Sequence, residues 1–216
     1  MNADRLARWY RLIEYAVYGR ALERSRFVFL DRLIHARRIL MLGEGDGRAL
    51  VRLLAVAPGA KVDVVDSSAE MIGLARARCA AASAGRVRFE QRDALELSLS
   101  AGEYDAVATF YFLDCFSVTE ARILIERIAN ALAPGGLWLV TDFAIPARGW
   151  RRWPAKFLIA CMYRFFGLTT GLRVRTLPPV EHLLLGAGLS RLDAKHERGG
   201  FLSSELWIKP VPAIEV

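Results

Sequence analysis

The segment 38–48, RILMLGEGDGR, constrains the fold more than any other part of the chain. Four apolar residues that read as a buried strand run directly into glycines at positions 43, 45 and 47, and a predicted helix opens just after them. Glycine lets the backbone turn sharply and approach a ligand closely, because no Cβ stands in the way. The helix would present free N–H groups at its N-terminus. The segment therefore predicts a strand, a ligand-binding loop and a helix.

A second strand and its terminal acid extend this pattern. Residues 61–66, KVDVVD, end in Asp66, nineteen residues after Gly47. An acid at that point of a nucleoside site accepts hydrogen bonds from ribose hydroxyls. Dinucleotide folds use the spacing G-x-G-x-x-G, but here the spacing is G-x-G-x-G and Arg48 stands where the third dinucleotide glycine is needed. The spacing thus favours a nucleoside that is not a dinucleotide.

Length and composition set the class of protein. The 216 residues suit one domain with a sizeable core, and the longest apolar runs are interrupted by charge well before the ~18 residues of a membrane span. The start, Met-Asn-Ala-Asp, is unlike a signal peptide. The three cysteines are scattered and the three histidines isolated, which indicates neither a disulfide framework nor a metal site. We expect a reduced, cytoplasmic setting and no metal.

The hydrophobic pattern predicts strands that alternate with helices. The predicted strands are 39–42, 61–66, 86–90, 104–110, 137–142, 189–197 and 202–209. The predicted helices are 3–33 with a break at Gly19, 47–57, 68–82, 118–132 and 179–187. Ser67 with Glu70, and Ser117 with Glu120, form the capping-box pattern that fixes where a helix begins.

This alternation predicts an α/β fold with a parallel sheet. The last two strands are joined through Gly199 and Gly200 without a helix, so one of them must run antiparallel. We expect a Rossmann-like, doubly wound seven-stranded sheet with an antiparallel edge strand and helices on both faces. The predicted organisation is a single domain over 1–216, with an N-terminal helical lid at 1–35 and a basic aromatic insert at 144–180.

Four segments in register resemble the class I S-adenosyl-L-methionine (SAM) dependent methyltransferases. They are LMLGEGDGR at the glycine loop, VDVVDSS at the second strand, FEQRDALEL at the third and LAPGGLWLVTDF at the fifth. The resemblance covers nearly the whole chain, and the N-terminal helical region and late insert resemble the small-molecule branch, which includes quinone and phospholipid methyltransferases. It implies a transferase with SAM as its cofactor.

The resemblance also implies cofactor-binding residues. The backbone at Gly43 and Gly45 would approach SAM, Asp66 would hold its ribose, and Asp93 with Ala94 would hold its adenine. The rest of the expected set is Glu44, Ser67, Met71 and Phe110. The family usually has an acid two residues before the first glycine, where this chain has Met41. Either Glu44 takes over that charge or it faces solvent and contributes only its backbone; we favour the second interpretation.

The acceptor side is predicted at the end of the fourth strand. Phe110 and Tyr111 would cover the adenine, line the acceptor pocket or pack in the core, and we predict Tyr111 and Asp114 as catalytic residues. Methyl transfer from a sulfonium needs mainly proximity and alignment, but a phenol or amine acceptor also needs a base, which is the role open to Asp114. Cys115 would simply pack, and Tyr10, Tyr15 and Tyr18 would form a lid or pack in the core.

The insert is basic and aromatic. It holds seven cations and no acid between Ala147 and Val180: Arg148, Arg151, Arg152, Lys156, Arg164, Arg173 and Arg175. Such a stretch suits peripheral contact of residues 147–176 with the inner face of a membrane. Equally, its aromatic residues cap the active site while the arginines are solvated. No nucleic-acid module is recognisable, so nucleic acid is not an expected partner.

The sequence therefore predicts SAM-dependent methyl transfer to a small, hydrophobic acceptor at an O, N or C atom. One alternative is a non-catalytic SAM-binding regulatory or lipid-associated module, because no obvious base is present and Met41 departs from the family pattern. A NAD-dependent oxidoreductase is disfavoured by the glycine spacing and by the reversed final strands.

Overall fold

A computed structural model describes residues 20–79, 85–146, 149–150, 152–170, 174 and 176–212, without the side chains of 166–170. The predictions for residues 1–19, which include most of the N-terminal lid, lie outside this range. The same holds for Arg148, Arg151, Arg173 and Arg175 of the insert.

Seven strands form one sheet. They are β1 Arg38–Leu42, β2 Lys61–Asp66, β3 Val87–Gln91, β4 Tyr104–Phe110, β5 Leu132–Phe143, β6 Ser190–Glu197 and β7 Leu202–Ile208. The spatial order is β3-β2-β1-β4-β5-β7-β6, with β1 to β5 parallel and β7 antiparallel to both of its neighbours. The predicted seven-stranded sheet with antiparallel pairing at one edge is confirmed, and the reversed strand β7 lies one place inside β6.

The described ranges contain six α-helices, of which the first precedes β1 and the others lie between strands. They are α1 Ala21–Phe27, α2 Arg48–Val56, α3 Ala69–Cys79, α4 Val118–Ala131, α5 Arg152–Thr170 and α6 Val180–Gly186. Short 3-10 helices occur at Leu30–Leu33, Ala94–Glu96 and Leu113–Cys115. Much of the predicted insert is therefore a single helix, α5, of 19 residues.

Hydrophobic cores lie on both faces of the sheet. Successive strand residues point to opposite faces, so Ile39 and Met41 of β1 pack with α1, α2 and α5, while Leu40 and Leu42 pack with α4 and α6. The strand order reverses between β1 and β4. In open α/β sheets, ligands bind in the crevice at such a switch point, beside the carboxyl ends of the two strands. The glycine loop after β1 lies at that crevice.

Two element boundaries differ from the sequence prediction. α3 begins at Ala69, and the hydroxyl of Ser68 accepts a hydrogen bond from the Met71 N–H at 3.3 Å, so the cap lies one residue after the predicted Ser67. The carboxylate of Asp66 accepts the N–H of Ser68 at 2.9 Å, which delays the start of the helix. The capping box of Ser117 and Glu120 at the start of α4 is confirmed.

The fifth strand begins at Leu132 rather than at 137. Tyr104 pairs with Leu132 and Ala106 with Leu137, so an irregular pairing absorbs the Pro134-Gly135-Gly136 segment. These residues, which lie between the predicted helix 118–132 and the predicted strand 137–142, are part of the strand, because the bulge lets them lie along β4 without continuous ladder bonds.

Candidate functional site

The glycine loop leaves β1 in a conformation that L side chains rarely adopt. The φ angles of Gly43, Gly45 and Gly47 are +63°, +78° and +89°. A Cβ on Gly43 would overlap the ring of Phe112, and one on Gly47 would lie 2.7 Å from the Cα of Ala75 in α3. A Cβ on Gly45 would meet no atom within 4 Å. Packing therefore requires glycine at both ends of the loop, while the space at its middle is open.

Asp46 fixes the loop to the neighbouring helix. Its buried carboxylate lies 3.1 Å from Arg48 Nε and 3.1 Å from Arg78 Nη2, and its carbonyl accepts the Nε–H of Arg78 at 2.9 Å. Arg78 belongs to α3, so two arginines hold the loop from two helices. Sequence analysis missed Asp46 and Arg78, because no local pattern links residues that are 32 positions apart.

Glu44 is a buried carboxylate at the N-terminus of α2. Its Oε1 accepts the N–H groups of Ala49 at 2.9 Å and Leu50 at 3.0 Å, and its side chain is inside the protein, with the residue only 2% exposed. The favoured prediction that Glu44 faces solvent is therefore wrong. The reason is that the first turn of a helix offers unpaired N–H groups and a positive dipole end, both of which attract a carboxylate. The second oxygen, Oε2, has no hydrogen-bond partner among the described residues.

The surroundings of Glu44 set its proton affinity. Burial raises its pKa from 4.5 to about 7, against the lowering effect of the Leu50 N–H and of Arg26 in α1. The neighbouring Asp46 carboxylate raises the pKa further, and the Gly47 N–H lowers it. The carboxyl group thus changes charge close to neutral pH, which favours a cation beside it when it is ionised.

Asp66 and Asp93 lie together at the carboxyl edge of β2 and β3. Asp66 pairs with Gln91 in the sheet, and its carbonyl accepts the N–H of Arg92 at 3.1 Å. Asp93 is exposed, and its Oδ1 accepts the N–H of Leu95 at 3.0 Å as the cap of the 3-10 helix. The fold brings these two predicted site acids to adjacent positions at one edge.

The remaining predicted cofactor residues are close to the same edge. Ser67 is exposed, its carbonyl accepts from the Gln91 side chain at 3.4 Å, and Met71 is half-buried in the first turn of α3. Ala94 is buried in the 3-10 helix. Phe110 is buried in the core on the face that holds α1 and α2, which is the packing interpretation of this residue.

Tyr111 connects the end of β4 to the N-terminal helix. It is one of two non-glycine residues with positive φ among the described residues, at +52°. Its Oη lies 2.6 Å from Ser25 Oγ, and its ring lies 4.9 Å from that of Phe143. The Ser25 carbonyl accepts the hydroxyl of Ser204 at 2.9 Å. A strained backbone held by packing is typical of functional sites. Here the strained residue, Tyr111, joins the carboxyl end of β4 to α1 through the hydroxyl of Ser25.

Asp114 forms a buried carboxyl pair with Asp142. Asp114 lies in the 3-10 helix after β4, Asp142 lies near the end of β5, and each of these buried carboxyl groups is close enough to influence the pKa of the other. Burial is the main cause that raises the pKa of both groups. The Sγ of Cys115 lies 3.6 Å from Asp114 Oδ1. The pair therefore places two carboxyl groups with raised pKa values near the predicted acceptor side.

The insert helix is attached to this pair. Tyr163 of α5 donates its hydroxyl proton to the carbonyl of Asp114 at 2.9 Å. Sequence analysis singled out neither Asp142 nor Ser25, and it gave Tyr163, an aromatic residue within the predicted insert, no role of its own. None of these contacts has a local signal, because each joins segments far apart in the chain. Across the described residues, no cluster of three or more His, Cys, Asp or Glu is placed to hold a metal ion.

Comparison with known proteins agrees with this fold. Residues 39–136 match the family described as "Methyltransferase domain". A demethylmenaquinone methyltransferase of Thermus thermophilus is 36% identical over 113 residues, which are 52% of this chain and 50% of that protein. One of Deinococcus radiodurans is 31% identical over 121 residues, 55% of this chain and 48% of that protein. The chain thus spans about half the length of these two relatives.

A solved structure extends the likeness over nearly all of the chain. The 1,6-didemethyltoxoflavin-N1-methyltransferase of Burkholderia thailandensis, with bound 1,6-didemethyltoxoflavin and S-adenosylhomocysteine, has a TM-score of 0.66 and 18% identity, and covers 96% of this chain and 86% of that one. At this identity the likeness concerns the fold. Together with the match over residues 39–136 and the glycine loop, it shows that the chain is similar to the SAM-dependent methyltransferases.

Proposed function

We propose that this protein transfers a methyl group from SAM to a small, hydrophobic acceptor. The observation that carries the proposal is the carboxylate of Glu44 at the N-terminus of α2. In dinucleotide folds the N–H groups at this helix end bind a pyrophosphate. Here the N–H groups of Ala49 and Leu50 already bind Glu44 Oε1. A carboxylate at that place repels phosphate and attracts a cation, and SAM carries an α-ammonium and a sulfonium.

The residues of the loop fit SAM. The buried Oε2 of Glu44 lacks a hydrogen-bond partner among the described residues, and the space at Gly45 is open. Glu44 would hold the amino-acid end of SAM, and Asp66 would accept the ribose hydroxyls. Asp93, Ala94, Ser67 and Met71 would surround the adenine. Bound SAM supplies a methyl group that is already activated on sulfur, so the protein has mainly to position the acceptor.

The acceptor would lie beside Tyr111 and the carboxyl pair. Aromatic rings contact one another around Tyr111 and in the segment that follows it: Tyr111 contacts Phe143, which lies 5.4 Å from Phe201, and Phe112 lies 5.0 Å from Phe116. An acceptor site formed beside these rings would favour an apolar or aromatic acceptor, in keeping with the quinone named in the relatives' descriptions. We propose that Asp114, paired with Asp142, takes up the proton that an O, N or C acceptor loses, because burial raises the pKa of both carboxyls.

We also propose that the acceptor is met at a membrane surface. None of the described helices combines the length and the hydropathy of a membrane-spanning segment. A peripheral contact would be made by α5, which carries exposed aromatic residues and several cations. Through Tyr163 the same helix contacts the loop that holds Asp114.

Calorimetric titration tests the cofactor. We expect SAM and S-adenosylhomocysteine to bind and NAD to give no heat of binding, because Glu44 fills the site that a pyrophosphate needs. Glu44→Ala would remove the carboxylate, and its affinity for SAM should fall. Tight NAD binding without a SAM signal would refute the proposal.

The affinity for SAM should depend on pH through Glu44. Since a cation binds the ionised carboxylate, and the pKa of Glu44 is about 7, affinity should increase by about tenfold or more between about pH 5.5 and about pH 7.5. Glu44→Gln keeps an oxygen for the N–H groups of Ala49 and Leu50 but cannot ionise. Its SAM affinity should be lower at the upper pH and nearly constant over the range. Equal slopes for the two proteins, measured by calorimetry, would assign the titration to another group.

A further inference from the structure

The helix α5 has two apolar faces. Ala155, Ile159 and Tyr163 recur at every fourth position and are buried against the sheet. Trp153 and Phe157 precede two of these positions by two residues, which is about 200° around a helix of 3.6 residues per turn. Their exposed fractions are 75% and 72%, and Trp150, just before the helix, is 75% exposed. The inward face of α5 is buried in the hydrophobic core. The outward aromatic face is exposed, and packing in the core does not explain it.

The outward face is unusual within this molecule. In the described ranges, the Trp and Phe side chains that are exposed all lie in this segment: Trp150, Trp153, Phe157 and Phe165. The other exposed large hydrophobic residues among those described are aliphatic and lie in different elements of the fold, and single exposed residues of this kind are common on protein surfaces. Trp and Phe side chains clustered on the outer face of one helix are characteristic of helices that lie in the headgroup region of a bilayer.

Charge identifies the kind of surface that this face would meet. Residues 147–180 hold seven cations and no acid, a number equal to the net charge of +7 of the whole chain. Arg152, Lys156 and Arg164 are exposed on α5, and Lys156 Nζ lies 5.7 Å from the ring centre of Trp153. A second copy of the chain would oppose cations with cations. An anionic lipid surface would receive the cations at its phosphates and the rings at its headgroup boundary.

We propose that Trp150 and α5 form a docking surface for an anionic lipid bilayer. This deepens the proposed function, because the opposite face of α5 contacts the acceptor side of the site through Tyr163 and Asp114, so a hydrophobic acceptor dissolved in the bilayer would be close to that side. Only this link to the acceptor rests on the proposed function; the lipid contact itself does not.

Vesicle sedimentation of the full chain tests the docking surface. The protein should pellet with vesicles that contain phosphatidylglycerol and stay in solution with pure phosphatidylcholine, and high salt should release it because salt screens the charges. Combined replacement of Arg152, Lys156 and Arg164 by Gln should weaken binding more than tenfold. Trp153→Ala with Phe157→Ala should also weaken it, and neither change should unfold the protein, since these side chains are exposed.

A matched variant distinguishes the effect of the cations on α5 from the effect of the total charge of the protein. Replacing Arg52, Lys61 and Arg122 by Gln removes the same charge from exposed positions on α2, β2 and α4, and should leave vesicle binding nearly unchanged. Wild-type protein that stays in the supernatant with anionic vesicles, or a matched variant that loses as much binding as the α5 variant, would overturn the inference. SAM titration of the same samples is a separate readout: a chain that pellets without binding SAM contradicts the proposed function alone.

Discussion

Asp66→Ala should weaken the binding of SAM by at least tenfold. Its carboxylate lies at the carboxyl end of β2, where it would accept two ribose hydroxyls, and each charge-assisted hydrogen bond contributes roughly 1.5–3 kcal/mol. Loss of both bonds corresponds to about a hundredfold or more in the dissociation constant. Calorimetry of the purified variant at about pH 7.5 would measure the change, with circular dichroism to establish that the variant is folded.

Two further variants make this result specific. Asp66→Asn keeps an oxygen that accepts the N–H of Ser68, now 2.9 Å from Asp66 Oδ1, so it preserves the start of α3 while removing the charge. Asp193→Ala removes an exposed carboxylate from β6 at the opposite edge of the sheet and should not change SAM binding. A folded Asp66→Ala protein with the dissociation constant of the wild type would exclude the ribose role.

The frame of the site follows from local sequence. The apolar run of β1, the glycines after it and the acid that ends β2 each express a short-range rule, and strands β1, β2 and β4 lie where the pattern places them. Ser117 and Glu120 mark the start of α4 for the same reason, since a capping box involves only one turn of helix. These elements, taken in their order along the chain, were enough to predict a seven-stranded sheet with antiparallel pairing at one edge.

Glu44 marks the limit of local reasoning. The sequence contains a signal that it would turn inward: an acid placed shortly before the first turn of a helix is attracted by the N–H groups there. Its burial, however, depends on how the rest of the chain packs around the loop, including α1, which brings Arg26 close enough to lower its pKa. An acid with no such neighbours would face solvent, so the outcome is set by tertiary packing.

The acceptor side could not be predicted from sequence for a related reason. Tyr111 contacts Ser25 across 86 residues, and Tyr163 contacts Asp114 across 49. In the sequence Asp142 is only a residue near the end of a predicted strand. In the structure it lies beside Asp114. Contacts at such separations carry no periodicity, and they arise only when the parallel strands bring their carboxyl ends to a common edge.

Gly47→Ala should strongly destabilise the protein even without cofactor. The φ of +89° costs an L residue about 1–3 kcal/mol, and the new Cβ would lie 2.7 Å from the Cα of Ala75, so α3 would have to shift. We expect a loss of about 3 kcal/mol or more, which lowers the midpoint of thermal unfolding by about 6–12 °C in a chain of this size. Gly45→Ala is the matched control, because its φ of +78° brings similar strain but its Cβ meets no atom within 4 Å. Its midpoint, followed by circular dichroism, should fall by clearly less. If both variants unfold at the same temperature, the close packing of the glycine loop against α3 is not what requires glycine at position 47.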